Sequence, residues 1–189
     1  MYFANKFEEA SFKERLFFDK LIEEHKLFTP DKWTYYKTSY LGKDHYDYFA
    51  LNKITGQKFY IEIKLRDCRW NQYVYETKKH KSLMQLKNQD PDNTTILYVN
   101  STPDGTYFWK IDDIISKYKT SIVMMNKNTM DGKYEKVKKR VYLLDPNDAS
   151  KHLKFRYLDK FMVQYENDEK KRNQPKSRVR CIFDDLDQN

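Results

Sequence analysis

The stretch HYDYFALNKITGQKFYIEIKL, residues 45–65, decides how this chain is read. Its first part, HYDYFAL (45–51), and its last, KFYIEIKL (58–65), are rich in aromatic and β-branched residues, as strands are. Between them KITGQ (53–57) holds a turn at Gly56, so the two strands are expected to pair as a hairpin. Glu62 and Lys64 are two residues apart and share one face of the second strand, whereas Ile61, Ile63 and Leu65 share the other. A carboxylate and an ammonium thus sit side by side on a strand whose reverse face is apolar. Asp47 lies on the preceding strand, fifteen residues before Glu62, and the turn can bring the two acids together. Asp44 competes for this place, but residues three apart on a strand face opposite sides. The spacing of Asp47 suits a hairpin, while Asp44 lies beside Gly42 at the strand entrance. Two carboxylates converging on a sheet suit a hard cation such as magnesium, which prefers oxygen ligands and keeps several waters. Such an ion polarises a phosphoryl oxygen and activates water. A neighbouring lysine can stabilise the charge that develops on phosphorus.

Upstream, residues 5–27 read as an amphipathic helix closed by Pro30. At about 100° per residue from Phe7, Ala10, Ser11, Phe17, Phe18, Leu21 and Ile22 fall on one face. Glu14 lies in the middle of that face, where a carboxylate is costly unless paired or bound to metal. WTYYKTSY (33–40) reads as a strand. Downstream, 77–89 is expected to be a helix with Thr77 at its N-cap. TTILYV (94–99) is expected to be a buried strand. Pro103-Asp104-Gly105 marks a turn before a strand over 106–111. A short helix is expected over 112–119, then strands over 121–126 and 139–144 joined by a polar stretch with Asp131-Gly132. A last helix is expected over 147–164, capped by Asn147 or Asp148. The order implies an α/β fold with a mixed sheet flanked by helices. Residues 1–166 read as a single domain, and 167–189 as a charged, disordered tail. The strands beyond residue 100 are expected to widen the sheet, cover an edge or build a homodimer surface.

Asp47, a hairpin and then Glu62-Ile63-Lys64 resemble the signature of the PD-(D/E)XK nuclease superfamily, the restriction-endonuclease-like fold. That pattern is an Asp, about ten to thirty residues, and Glu-x-Lys, on a core of helix, three strands, helix and strand. The order read over residues 5–99 is similar, so the resemblance covers about half the chain. Residue 46, where the pattern places Pro, is Tyr. The resemblance implies a metal-dependent deoxyribonuclease with Asp47, Glu62, Lys64 and Glu14 as catalytic residues. It implies Mg2+, replaceable by Mn2+, held by Asp47, Glu62 and the backbone carbonyl of Ile63. It also implies DNA contacts from the helix 77–89, for which Lys79 and Gln85 are candidates; Lys78, Lys81 and Lys87 read as solvated.

Composition agrees with a polyanionic partner. The 189 residues carry 36 Lys+Arg against 28 Asp+Glu, and aromatics make up 16%. Cations neutralise phosphates and rings stack on bases. Cys68 and Cys181 form no CxxC and no zinc spacing. No apolar run approaches the ~20 residues that span a bilayer. The charged, helical N-terminus is unlike a signal peptide, so a cytoplasmic location without membrane contact is expected. Phosphate-loop, serine-elbow and HExxH motifs are absent, and an ATPase or helicase would be a separate chain. His25 reads as core-edge, His80 and His152 as surface, and His45 as near the site without metal spacing. Two other functions compete. One is a non-catalytic nucleic-acid-binding protein of the same fold. The other is a basic structural protein in which Lys58, Tyr60, Glu62 and Lys64 form a solvated strand face.

Overall fold

The structure, a computed structural model, describes residues 6–38, 45–66, 68–127 and 135–155. Asp44, Gly42, Asp131, Gly132, Cys181, the second half of the helix expected over 147–164 and the tail 167–189 lie outside these residues.

Helix α1 spans Lys6–His25. Its inward face carries Phe17, Phe18, Leu21 and Ile22, all buried, at the spacing that sets side chains on one stripe of a helix. Strand β1, Trp33–Lys37, pairs antiparallel with β2, Tyr48–Asn52, and β2 with β3, Lys58–Leu65. The turn between β2 and β3 is shaped by Asn52, whose side-chain oxygen accepts from the amides of Ile54 and Thr55 at 2.9 and 3.0 Å. Gly56 closes it with φ 75°, a conformation open to glycine.

After β3 the chain forms β4, Tyr73–Glu76, and passes directly into α2, Thr77–Lys87. It returns as β5, Thr94–Thr102, parallel to β3. A parallel neighbour requires such a crossover. Strand β6, Gly105–Lys110, a short helix α3, Ile111–Ile114, and strands β7, Thr120–Asn126, β8, Lys136–Leu144, and β9, Lys151–Leu153, follow. The described residues form two sheets, one ordered β1-β2-β3-β5-β6-β9 and one ordered β4-β8-β7. The first is mixed, since β3 and β5 run parallel and its other pairs antiparallel. The protein is therefore α/β, with a mixed sheet between helices.

The two faces of the large sheet pack differently. Under α1 the sheet contributes Ala50, Ile61, Ile63, Val99 and Phe108 to an aliphatic and phenyl core. The opposite face meets β4 and α2 with Tyr73, Tyr75, Leu83, Tyr98 and Trp109. This second core is rich in hydroxyls, and Tyr98 donates its own to the Val74 carbonyl at 2.6 Å.

Several expectations are corrected. Thr77 is the first helical residue rather than the cap: Glu76 precedes it without a side-chain cap, and the Thr77 hydroxyl donates to the Arg140 carbonyl at 3.0 Å. Strand β4 already fixes the chain's entry, so no cap starts the helix. The 147–164 helix does not form over its described part. Asp145 caps a short 3-10 turn at Pro146–Asp148, and Lys151–Leu153 instead pairs with β6. Strands β7 and β8 leave the main sheet for the second one. Strand β2 begins at Tyr48, one residue beyond Asp47.

Candidate active site

Asp47 stands at the threshold of β2, fixed by its backbone. Its N–H donates to the Ile61 carbonyl at 2.8 Å, and its carbonyl accepts from Thr38 N–H at 3.0 Å. Asp47 Oδ2 then accepts from the Ile63 amide at 2.7 Å. The hairpin therefore delivers Asp47 to the middle of β3, beside Glu62.

Glu62 has 0% exposure. The alternation of residues 58–64 therefore does not form a solvated face, because β4 and α2 cover it. Both Lys64 and Lys79 place their ammonium groups on Glu62 Oε1. Lys64 Nζ also donates to the Ile63 carbonyl at 2.9 Å. The backbone of Ile63 is thus held on both sides, its N–H by Asp47 and its carbonyl oxygen by Lys64. Glu62 Oε2 is buried and has no hydrogen-bond partner.

The charges on these groups are tightly linked. Burial works against ionisation of Glu62, but Lys64 and Lys79 hold its pKa below the ordinary carboxylate value. Burial also opposes the charge on Lys64, and Glu62, Asp47 and Glu14 together overcome it and push its pKa up. The pKa of Asp47 is raised, first by burial and then by the charge of Glu62. Glu14, from α1, is raised to about 7, again by burial first and next by Asp47. The four residues nominated for catalysis thus meet at the seam of α1, the entrance of β2 and the middle of β3.

Lys79, expected to contact DNA, places its ammonium on Glu62 in this cluster, with its side chain 31% exposed. Gln85 is exposed, and six residues along α2 it points about 120° away from Lys79. Lys87 is not a solvated lysine: it pairs with Asp112 at 2.7 Å and donates to the Thr94 carbonyl at 3.0 Å. His80 is half-buried, edge-on to Tyr75 and Tyr142, and burial lowers its pKa. His25 packs edge-on against Phe155. One neighbour escaped the sequence reading. Lys37 on β1 reaches the Ser11 carbonyl and the Ser11 hydroxyl, the latter at 2.9 Å. Burial lowers its pKa, and Glu14 and Asp47 partly restore it. The only signal in the sequence was a lysine among four aromatics in 33–40.

Among the described residues, no three His, Cys, Asp or Glu side chains converge closely enough to hold a metal ion as they stand. The reason is visible: the lysines take one oxygen of Glu62, and Asp47 turns onto the Ile63 amide. The donor set still fits a divalent cation. It has an unpartnered buried oxygen at Glu62 Oε2 and two further acids, Asp47 and Glu14, whose pKa values are raised first by burial and next by a neighbouring carboxylate.

The chain matches no protein-family model and no curated protein. Among solved structures it is similar to Hjc, a Holliday junction resolvase from the hyperthermophilic archaeon Archaeoglobus fulgidus. The likeness has 12% identity and a TM-score of 0.42, covering 71% of this chain and 93% of that one. No helix among the described residues is long and apolar enough to cross a membrane.

Proposed function

We propose that this chain is a metal-dependent nuclease that hydrolyses DNA phosphodiester bonds. The observation that carries the reading is Glu62: a wholly buried carboxylate, kept charged by Lys64 and Lys79, with one oxygen unused and Asp47 and Glu14 beside it. Burying such a group costs several kcal/mol before pairing, roughly, which a purely structural strand has no reason to bear. Glu62 Oε2, Asp47 and the Ile63 carbonyl would hold Mg2+ or Mn2+. Bound there, the ion would polarise a phosphoryl oxygen and lower the pKa of a coordinated water.

The chain's own residues supply the rest. Lys64 presents its ammonium beside the carboxylates, where it can donate to a phosphate oxygen as negative charge builds. Asp47 accepts from the Ile63 N–H and so holds β3 beside the carboxylates. Glu14, with a pKa of about 7, can hold or release a proton at its carboxyl group near neutral pH. A net charge of +8 supports a polyanionic substrate. The domain is proposed to act in the cytoplasm, on DNA, with residues 1–166 as its catalytic unit.

A second reading, a non-catalytic nucleic-acid-binding protein of this fold, is favoured by one observation: Lys64 and Lys79 already neutralise Glu62. Incubating DNA with protein in Mg2+, in Mn2+ and in chelator separates the two. The nuclease cuts in either metal and not in chelator, and Lys64→Ala stops it. Retention of DNA without cutting in any metal selects the second reading.

A further inference from the structure

On the same face of the sheet as Lys64, the strand register draws a line away from the carboxylates. Lys64 is paired with Asn100, Asn100 with Tyr107, and Tyr107 with His152. Registered partners share a face. The line therefore runs across three strand spacings, about 14 Å. It ends in an open cleft of about 470 Å3, within the usual range for ligand sites.

The cleft has two aromatic surfaces. His152, exposed at the sheet edge, stacks on Tyr107 with ring centroids 4.3 Å apart and planes at 13°. This stack depends on Gly105: a Cβ there would stand 2.4 Å from His152 Nε2 and 2.6 Å from the Leu153 carbonyl oxygen. Trp70 contributes the other surface and is 55% exposed, although it is among the largest apolar side chains in the chain. Polar groups rim these rings. Arg69 is held by Asp104 at 3.3 Å, and Asp104 also accepts from the Tyr107 hydroxyl at 2.8 Å. Asn71 and Asn147 add amides that can both donate and accept.

We infer that this cleft takes one unpaired nucleobase of a single-stranded nucleic-acid segment, between Trp70 and the Tyr107–His152 stack. The inference deepens the nuclease reading and rests on it for the direction of the strand. A flat, heteroaromatic ligand with edge donors and acceptors matches two ring surfaces rimmed by amides and a guanidinium. A protein that grips single strands combines such rings with a cationic path for the backbone. A base inside a duplex offers no free face, so the substrate would be unpaired near the cut, at a loop, flap or end.

The test uses the full chain in chelator, so that nothing is cut, and two probes carrying 2-aminopurine at one position. One is a short single strand and the other the same sequence in a blunt duplex. The wild type should bind the single strand with a change in 2-aminopurine emission. Trp70→Ala should weaken single-strand binding about tenfold and leave duplex binding within about twofold. Trp70→Phe should restore most of the loss, and melting curves of both variants should match the wild type because Trp70 is largely exposed. His152→Ala should give a smaller loss of the same selectivity. Equal losses on both probes, no loss on either, or no binding of the single strand by the wild type would overturn the proposal. Single-strand selectivity that depends on Trp70, in a protein that cuts nothing in Mg2+, would uphold the cleft and remove the nuclease reading.

Discussion

Strand β3 carries a lysine–carboxylate contact at each end, and the two behave differently. At its start Lys58 meets Asp90 at 2.8 Å with both side chains about one-third exposed, at 34% and 31%. Their hydrogen bond is the largest cause that lowers the pKa of Asp90 and raises that of Lys58. Near its end Lys64 and Lys79 meet Glu62, which has no exposure. There the coupling does not stop with its partners: burial raises the pKa values of Asp47 and Glu14, and the charge of Glu62 raises both further. Water screens the first contact, while burial makes the second a network of five groups. The same residue types on one strand thus give a surface pair at one end and a poised site at the other.

The comparison breaks if the two ends respond alike to loss of charge. Glu62→Gln should abolish Mg2+-dependent cleavage, by at least about a hundredfold. In chelator it should also destabilise the protein, by about 3 kcal/mol, because Lys64 and Lys79 lose their shared counter-charge inside the fold. Asp90→Asn should leave cleavage unchanged and the melting midpoint close to that of the wild type. Cleavage rates and denaturant titrations of both variants make the check. Full activity in Glu62→Gln would remove the proposed site.

That destabilisation has the opposite sign to what the sequence suggests. From sequence, Glu62 belongs to a crowded acidic site, and neutralising it should relieve repulsion. The two lysines on its Oε1 reverse this, and only Lys64 is near it in sequence. What was legible came from local periodicity: the 58–65 strand with Glu62 and Lys64 on one face, the hairpin that brings Asp47 in, and the misplaced acid Glu14 on the apolar stripe of α1. What was not legible depends on distant partners. Nothing near Lys79 says that α2 lies over Glu62 and turns a candidate phosphate ligand inward. Strand β4 was missed although Tyr73 and Tyr75 alternate inward, because four residues between a loop and a helix carry too short a pattern. Lys151–Leu153 reads as helical alone and becomes a strand only because β6 has a free edge.

Glu14 sharpens the comparison through pH. In the folded protein it keeps its proton to about pH 7, against an ordinary value of 4.5. Between those values the folded state binds more protons than the unfolded one, so stability falls as pH rises through the window and stays lower above it. Glu14→Gln removes that loss. In chelator it should leave stability unchanged below about pH 4.5 and raise it by roughly 3 kcal/mol above pH 7. The melting temperature at pH 8 should rise by about 5 °C or more. Asp90 has the other sign: its pKa is lowered, so its contribution is present above its ordinary value of 3.8 and fades on acidification. A stability difference for Glu14→Gln that does not change between pH 4 and pH 8 would show that the fold does not raise the Glu14 pKa.

The smallest effect separates the two roles open to Lys79. Its ammonium shares Glu62 Oε1 with Lys64, and its side chain is 31% exposed. Lys79→Gln leaves Lys64 in place, so Glu62 stays charged and the fold is retained. It also removes a cation that competes with a metal for the same carboxylate. Calorimetric titration should therefore show Mn2+ bound roughly threefold more tightly than by the wild type. DNA affinity gives the second readout. Each phosphate contact contributes roughly −0.9 to the slope of log affinity against log salt on duplex DNA. If Lys79 remains on Glu62 when DNA binds, the slope is unchanged in the variant, and this is the expected result. A slope smaller by about one unit, with Mn2+ affinity unaltered, would mean that Lys79 swings from Glu62 to a phosphate. The buried end of β3 would then hand one of its charges to the substrate, and the contrast with the Lys58–Asp90 end would lie in mobility as well as in burial.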